Sequence, residues 1–322
     1  MECRKIAFLD FWKGFDTDNN PLTSIIQEIC DVKIVDIVDA DYVFYSVFSN
    51  KHWFAKDGSI KIFITGEMVT PDFNACDYAI GYDWMTYGDR YLRLPLYYLF
   101  QNLEFIEKKH LCNIDEIIKK KTEFCSITVS NVHRDPVFLE LFEELSKYKT
   151  IDSGGKWKNN VGGRVKDKFA FDLSHKFSIA CENCSHPGYT TEKIAHAFNA
   201  NCIPIYWGDP NIDKVFNTKA FLNVQDYGTI KEAVEEIIKL DTRPDLYKRM
   251  QLEPVYIDKQ YTKEVQINHL KEFLCNILLQ PIDQAYRRNR VCAGLKYIKD
   301  RRAEALMSKP YYFAKILKGK IL

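Results

Sequence analysis

The run from Glu182 to Lys193 (Glu-Asn-Cys-Ser-His-Pro-Gly-Tyr-Thr-Thr-Glu-Lys) gathers polar groups, a glycine and a charge pair just ahead of residues with helical spacing. Thr190 or Thr191 is placed to cap that helix, which puts Glu192 and Lys193 in its first turn. Glutamate suits the positive end of a helix dipole. Lysine does not, so Lys193 points to an anion supplied from elsewhere. Asn183, Tyr189 and the loop Ser130-Asn131 would extend the same pocket. A second polar group, Thr65-Gly66-Glu67, follows an apolar run. A partly buried glutamate at a strand's end can serve as a base near neutrality. The residues alone also fit a solvated loop acid at Glu67, which the bare sequence favours there, and an ordinary surface pair at Glu192-Lys193.

Metal chemistry has two candidate motifs and neither is developed. Asp39-Ala40-Asp41 matches the DxD of metal-dependent sugar transferases, but it opens the apolar strand Tyr42-Val43-Phe44-Tyr45 and reads as a turn. Cys181-Glu-Asn-Cys184 is a lone CxxC with His186 nearby, and no second pair completes a zinc set. The ten cysteines have mostly apolar neighbours and read as reduced thiols. Neither GxxxxGK[ST] nor GxGxxG after a strand occurs. No cofactor and no metal is expected.

The elements that must hold these groups alternate. Strands are expected over 6–11, 32–38, 42–47, 61–65 and 78–82, with a helix over 21–30. After a helical linker over 111–121 come strands over 124–130, 176–181 and 202–206, with helices over 138–148, 191–200 and 230–240. Gly154-Gly155 and Gly162-Gly163 mark a turn-rich loop. Such alternation implies parallel sheets in two α/β domains, here 1–121 and 122–280, with a ligand cleft between them. The 322 residues, 46% hydrophobic and 28% charged, suffice for two cores. No run nears the roughly 20 apolar residues of a membrane span, and the N-terminus is too short in apolar residues for a signal peptide.

The net charge of +1 hides an asymmetry. Residues 285–322 carry eleven Lys or Arg against Asp300 and Glu304, a tail of +9 on a body of −8. Arg287, Arg288, Arg290, Lys296, Lys299, Arg301 and Arg302 mix there with Leu295, Ile298, Leu306, Tyr311, Tyr312, Phe313, Ile316 and Leu317. Over 281–322 this predicts a basic amphipathic tail for an anionic membrane surface. Nucleic acid is not expected, since no stacking platform or reading motif accompanies the charge.

Glu182-Asn183, Gly188-Tyr189-Thr190-Thr191-Glu192-Lys193 and Ile203-Pro204-Ile205-Tyr206-Trp207-Gly208 together resemble the signature of glycosyltransferase family 10, the α-1,3/4-fucosyltransferases. A second block is similar to the bacterial members' acceptor domain. It comprises Thr65-Gly66-Glu67, Pro71-Asp72-Phe73, Asp77-Tyr78-Ala79-Ile80-Gly81-Tyr82 and Asp89-Arg90-Tyr91-Leu92-Arg93-Leu94-Pro95. The resemblance covers roughly residues 5 to 260. It implies a GT-B fold, two Rossmann-like domains facing across a cleft, with GDP-L-fucose as donor and an N-acetyllactosamine-type glycan as acceptor. It implies inversion, with Glu67 as general base facing Lys193 at the diphosphate, and Asn183, Tyr189 and Glu192 as donor contacts. It places acceptor reading at Trp84, Met85 and Tyr87, and a protein in the cytoplasm at the inner membrane.

Three positions depart from the family pattern. Phe138 stands where relatives carry a phosphate-contacting arginine, and Arg134, one helical turn earlier, is the expected substitute. Met68 replaces an asparagine after the base, and Cys184 replaces a small polar residue. Another GDP-sugar as donor, or a catalytically silent sugar-nucleotide or glycan-binding protein, are the alternatives.

Overall fold

The computed structural model describes residues 3–130, 135–289 and 291–317, without the side chains of residue 110 and residues 308–317. Asn131, Arg134 and Arg290 lie outside the described residues, as do the side chains of Tyr311, Tyr312, Phe313, Ile316 and Leu317. The chain forms two compact units, Met1–Leu94 with Asn268–Leu322, and Pro95–Ile267.

The first unit is built on β1 (Arg4–Leu9), β2 (Val32–Ile34), β3 (Tyr42–Tyr45), β4 (Ile60–Ile64), β5 (Tyr78–Gly81) and β6 (Tyr91–Arg93), in the order β2-β1-β3-β4-β5-β6. Every pairing is parallel. Every residue of β3, β4 and β5 is buried, as expected of parallel strands covered on both faces. The helix Pro21–Ile29 starts where Asn20 accepts from Thr23 N–H at 2.9 Å, with proline in its first turn and Leu22, Ile25 and Ile26 buried. The strand expected over 32–38 stops at Ile34, because the chain turns where Asp39 N–H meets Asp36 O. Asp39-Ala40-Asp41 is the end of that turn. Asp41 pairs with Lys56 at 2.6 Å and Ala40 is fully buried.

The second unit carries β7 (Glu123–Ile127), β8 (Ile151–Ser153), β9 (His175–Cys181), β10 (Ile203–Trp207) and β11 (Leu222–Asn223), all parallel, in the order β11-β10-β9-β7-β8. Asp135 caps the helix Pro136–Ser146, whose Phe138, Leu141, Phe142 and Leu145 form one buried stripe. The sheet's core joins them to Ile127, Phe177, Ile205 and Ile237.

The boundaries fall at 94/95 and 267/268 rather than at the expected 121 and 280. Residues 95–121 bond into the second unit. Tyr98 OH donates to Tyr261 O, Lys109 Nζ to Glu253 O and the buried Lys121 Nζ to Ala200 O at 2.6 Å. Residues 268–322 belong to the first unit, and their charge is partly consumed there. Asp77, fully buried, accepts from Lys61 N–H, from Arg287 and Arg288 N–H and from Arg288 Nε at 2.7–2.9 Å. Arg302 donates to Trp53 O and pairs with Asp57 at 2.7 Å, and Arg287 pairs with Asp89 at 2.6 Å. Ahead of the helix Cys292–Leu317 the buried Asp77 thus claims Arg288, and within the helix the part-buried carbonyls of Trp53 and Ala55 claim Arg302, so these two charges of the basic tail are spent inside the first unit. Among the described residues no helix is long and apolar enough to cross a membrane.

Candidate functional site

In the second unit the chain leaves β7 towards β8 on one side and returns to β9 on the other, so the β7/β9 pair is the topological switch point. Ligands of open α/β sheets bind outside the strands' carboxyl ends at such a point. A cavity of about 350 Å³ lies there. Thr128, Val129 and Ser130 after β7 line it, together with Asn183 after β9, Glu192, Lys193 and His196 of the helix Glu192–Asn199, and Lys168. Thr128 Oγ1 is buried without a hydrogen-bond partner among the described residues. A buried hydroxyl in that state is costly unless a ligand completes it.

The cations here are held from behind. Glu182 is fully buried, one residue past β9, and its carboxylate accepts from Thr191 N–H and Oγ1 at 2.7 Å and from Lys193 Nζ at 2.8 Å. Burial pushes the Glu182 carboxyl up, and the Lys193 ammonium partly offsets this. Thr191 is the N-cap but makes no side-chain cap, contrary to expectation, because Glu182 takes its hydroxyl. Lys168 repeats the design. Its ammonium pairs with the fully buried Asp172, which also accepts from Ser126 Oγ at 2.6 Å. Two part-exposed ammoniums thus face the cavity while their carboxylates lie inside. His196 Nε2 lies 2.6 Å from Gln101 Oε1. Burial and the nearby Lys168 hold its pKa below the ordinary value of 6.5.

The loop ahead of the helix is braced by Asp209, which accepts from Gly188 N–H, Thr190 Oγ1 and Asn211 N–H at 2.7–2.9 Å. Gly208 must be glycine. Its φ is +154°, and a Cβ would stand 2.5 Å from Glu182 Cγ. Gly155 is similarly constrained, since a Cβ would sit 1.9 Å from Val129 O, on the segment that lines the cavity.

Ser130, Asn183, Glu192 and Lys193, all expected as donor contacts, meet on this cavity. Tyr189 does not line it and is buried. Phe138 lines it but belongs to the core, 5.2 Å from Trp157 between ring centroids, so the wall is apolar where the family pattern has an arginine. Lys168, Glu182 and Asp209 carry roles that the sequence reading did not assign. Lys168 is one of five cations from Lys156 to Lys168, so nothing in the sequence singles it out. Among the described residues no group of three or more His, Cys, Asp or Glu is placed to hold a metal ion.

In the first unit Glu67 sits three residues past β4, with its N–H on Thr65 Oγ1 at 3.0 Å. It is exposed rather than partly buried, because the loop 66–70 stands clear of the sheet. Trp84 and Tyr87, in the loop after β5, are exposed and held by arginines. Arg93 lies 3.8 Å over Trp84, and Arg90 lies over both Tyr87 and Phe73.

Residues 6–100 match the alpha-(1,3)-fucosyltransferase FucT N-terminal domain, and residues 118–296 match glycosyltransferase family 10 (fucosyltransferase), C-terminal part. Over 220 residues the chain is 36% identical to the alpha-(1,3)-fucosyltransferase FucT of Helicobacter pylori, covering 59% of this chain and 46% of that protein. The chain thus spans about half the length of this relative. A crystal structure of an alpha1,3-fucosyltransferase matches with a TM-score of 0.74 at 28% identity, over 90% of this chain and 93% of that one. Another, with GDP-fucose, matches at 0.69 and 28% over 85% and 91%. These bear out the α/β, GT-B fold class, and with the C-terminal match running over more than half its residues the chain belongs to glycosyltransferase family 10.

Proposed function

We propose that the chain transfers L-fucose from GDP-L-fucose, with inversion, to the GlcNAc 3-OH of an N-acetyllactosamine-type glycan, the 4-OH being the competing target. The observation that carries this reading is the pair Lys168 and Lys193 on a cavity at the switch point, each backed by a buried carboxylate, beside a Thr128 hydroxyl that has no partner among the described residues. A nucleoside diphosphate that leaves gains negative charge on its β-phosphate. Fixed ammoniums stabilise that charge without reorganising at the moment of reaction. Glu67 takes the proton from the acceptor hydroxyl as that oxygen attacks the anomeric carbon. Ser130 and Asn183 orient the donor, with Arg134 as the further cation proposed from the sequence.

GDP release from GDP-fucose, measured with and without N-acetyllactosamine, tests this. Acceptor-stimulated release with a fucosylated trisaccharide as product is expected. Binding without turnover on any glycan would make the chain a sugar-nucleotide-binding protein instead.

We also propose peripheral attachment to an anionic, cytoplasm-facing membrane, now resting on Lys296 and Lys299, exposed beside Leu295, rather than on the whole tail. Lys296→Glu with Lys299→Glu should reduce co-sedimentation with phosphatidylserine liposomes. Undiminished co-sedimentation would refute this attachment.

A further inference from the structure

The first sheet has a switch point of its own. From β1 the chain runs to β2 on one side and to β3 on the other. At the carboxyl ends of β1 and β3 lie Phe11, Trp12, Phe15 and Phe48. Phe11 and Phe15 stack with centroids 4.1 Å apart. Trp12 stands edge-on to Phe15 at 5.1 Å and to Phe48 at 6.4 Å. Phe48 is 50% exposed and the others are half-buried.

The root of this cluster is strained and over-determined. Asp10, between β1 and Phe11, has φ of +61° and is buried. Its carboxylate accepts from Ser49 Oγ, from Lys51 and His52 N–H, and pairs with His52 Nδ1 at 2.6 Å. Its carbonyl accepts from Phe48 N–H at 2.9 Å. A non-glycine residue in that region persists only where its surroundings hold it, and such residues cluster at ligand sites.

We propose that the Phe11–Trp12–Phe15–Phe48 cluster is an acceptor subsite that stacks a sugar ring distant from the one receiving fucose, with Asp10 as its positioning residue. This rests on the fucosyl-transfer reading. Glu67 follows β4, two strand spacings from β1, roughly 10 Å along the same sheet edge. That is the reach of a short oligosaccharide rather than of a single ring. The apolar C–H face of a pyranose carries partial positive charge and matches the negative face of an aromatic ring. Rings fixed in advance lose little entropy on binding.

The test compares N-acetyllactosamine with its threefold-repeat hexasaccharide. Wild type should show a lower KM for the hexasaccharide. Trp12→Ala and Phe48→Ala should each raise that KM about tenfold, towards the disaccharide's value. Both should leave kcat and the GDP-fucose KM in place in a chain that still folds, and Trp12→Phe should retain most of the preference. Equal KM for both acceptors in the wild type, or equal losses on both in the variants, would overturn the subsite. Absence of any transfer by the wild type would instead count against the fucosyl-transfer reading. Saturation-transfer NMR with the hexasaccharide alone then decides the subsite. Signal lost in both alanine variants supports it, and signal unchanged in both overturns it.

Discussion

Lys193→Ala is expected to lower fucosyl transfer by on the order of 10²–10³, the loss typical of one prearranged charge stabiliser. The same change should cost stability, because Glu182 then keeps its buried carboxylate with only Thr191 as partner. Breaking a buried pair from one side costs about 3–5 kcal/mol, less whatever Glu182 recovers by taking up a proton. The two losses separate in the double variant Lys193→Ala/Glu182→Gln. A neutral amide in that pocket should restore much of the melting temperature, while transfer stays low. If transfer returns together with stability, Lys193 acts through the fold and not on the donor.

Glu67→Gln is expected to lower kcat by about 10²–10⁴, the range of a single general base. The amide keeps the size and the loop geometry fixed by Thr65 Oγ1 but accepts no proton. Donor affinity should not move, since Ser130, Asn183, Glu192 and Lys193 lie on the second sheet's cavity. Full transfer by Glu67→Gln removes it from the base role. A parallel loss of GDP-fucose binding would assign it to the donor instead.

Much of this fold was legible because buried parallel strands announce themselves. β3 is an unbroken apolar run, and β4 and β9 keep apolar cores around Lys61 and Ser178, so the expected bounds of each fall within a residue or two of the observed ones. β6, β8 and β11 were missed because two or three residues carry no period. The site was half legible. Spacing after strands located Asn183, Glu192 and Lys193, whereas the roles of Glu182 and Asp172 come from burial, which a single sequence does not display. The internal pairing of part of the tail is hidden for the same reason. Charge counting sees Arg288 and Asp77 as members of opposite pools, and only the fold makes them one ion pair at 2.9 Å.

That ion pair also orders events on the ribosome. Asp77 and Arg288 are 211 residues apart, and all of the second unit is made between them. At 5–20 residues per second, roughly 10–40 s pass before the buried carboxylate meets its partners. The second unit, one unbroken stretch of chain, can complete its sheet during that interval. The first cannot. A stalled or truncated chain would expose an unclasped first sheet beside a finished second one, and chaperones or proteases would read that as an unfinished protein.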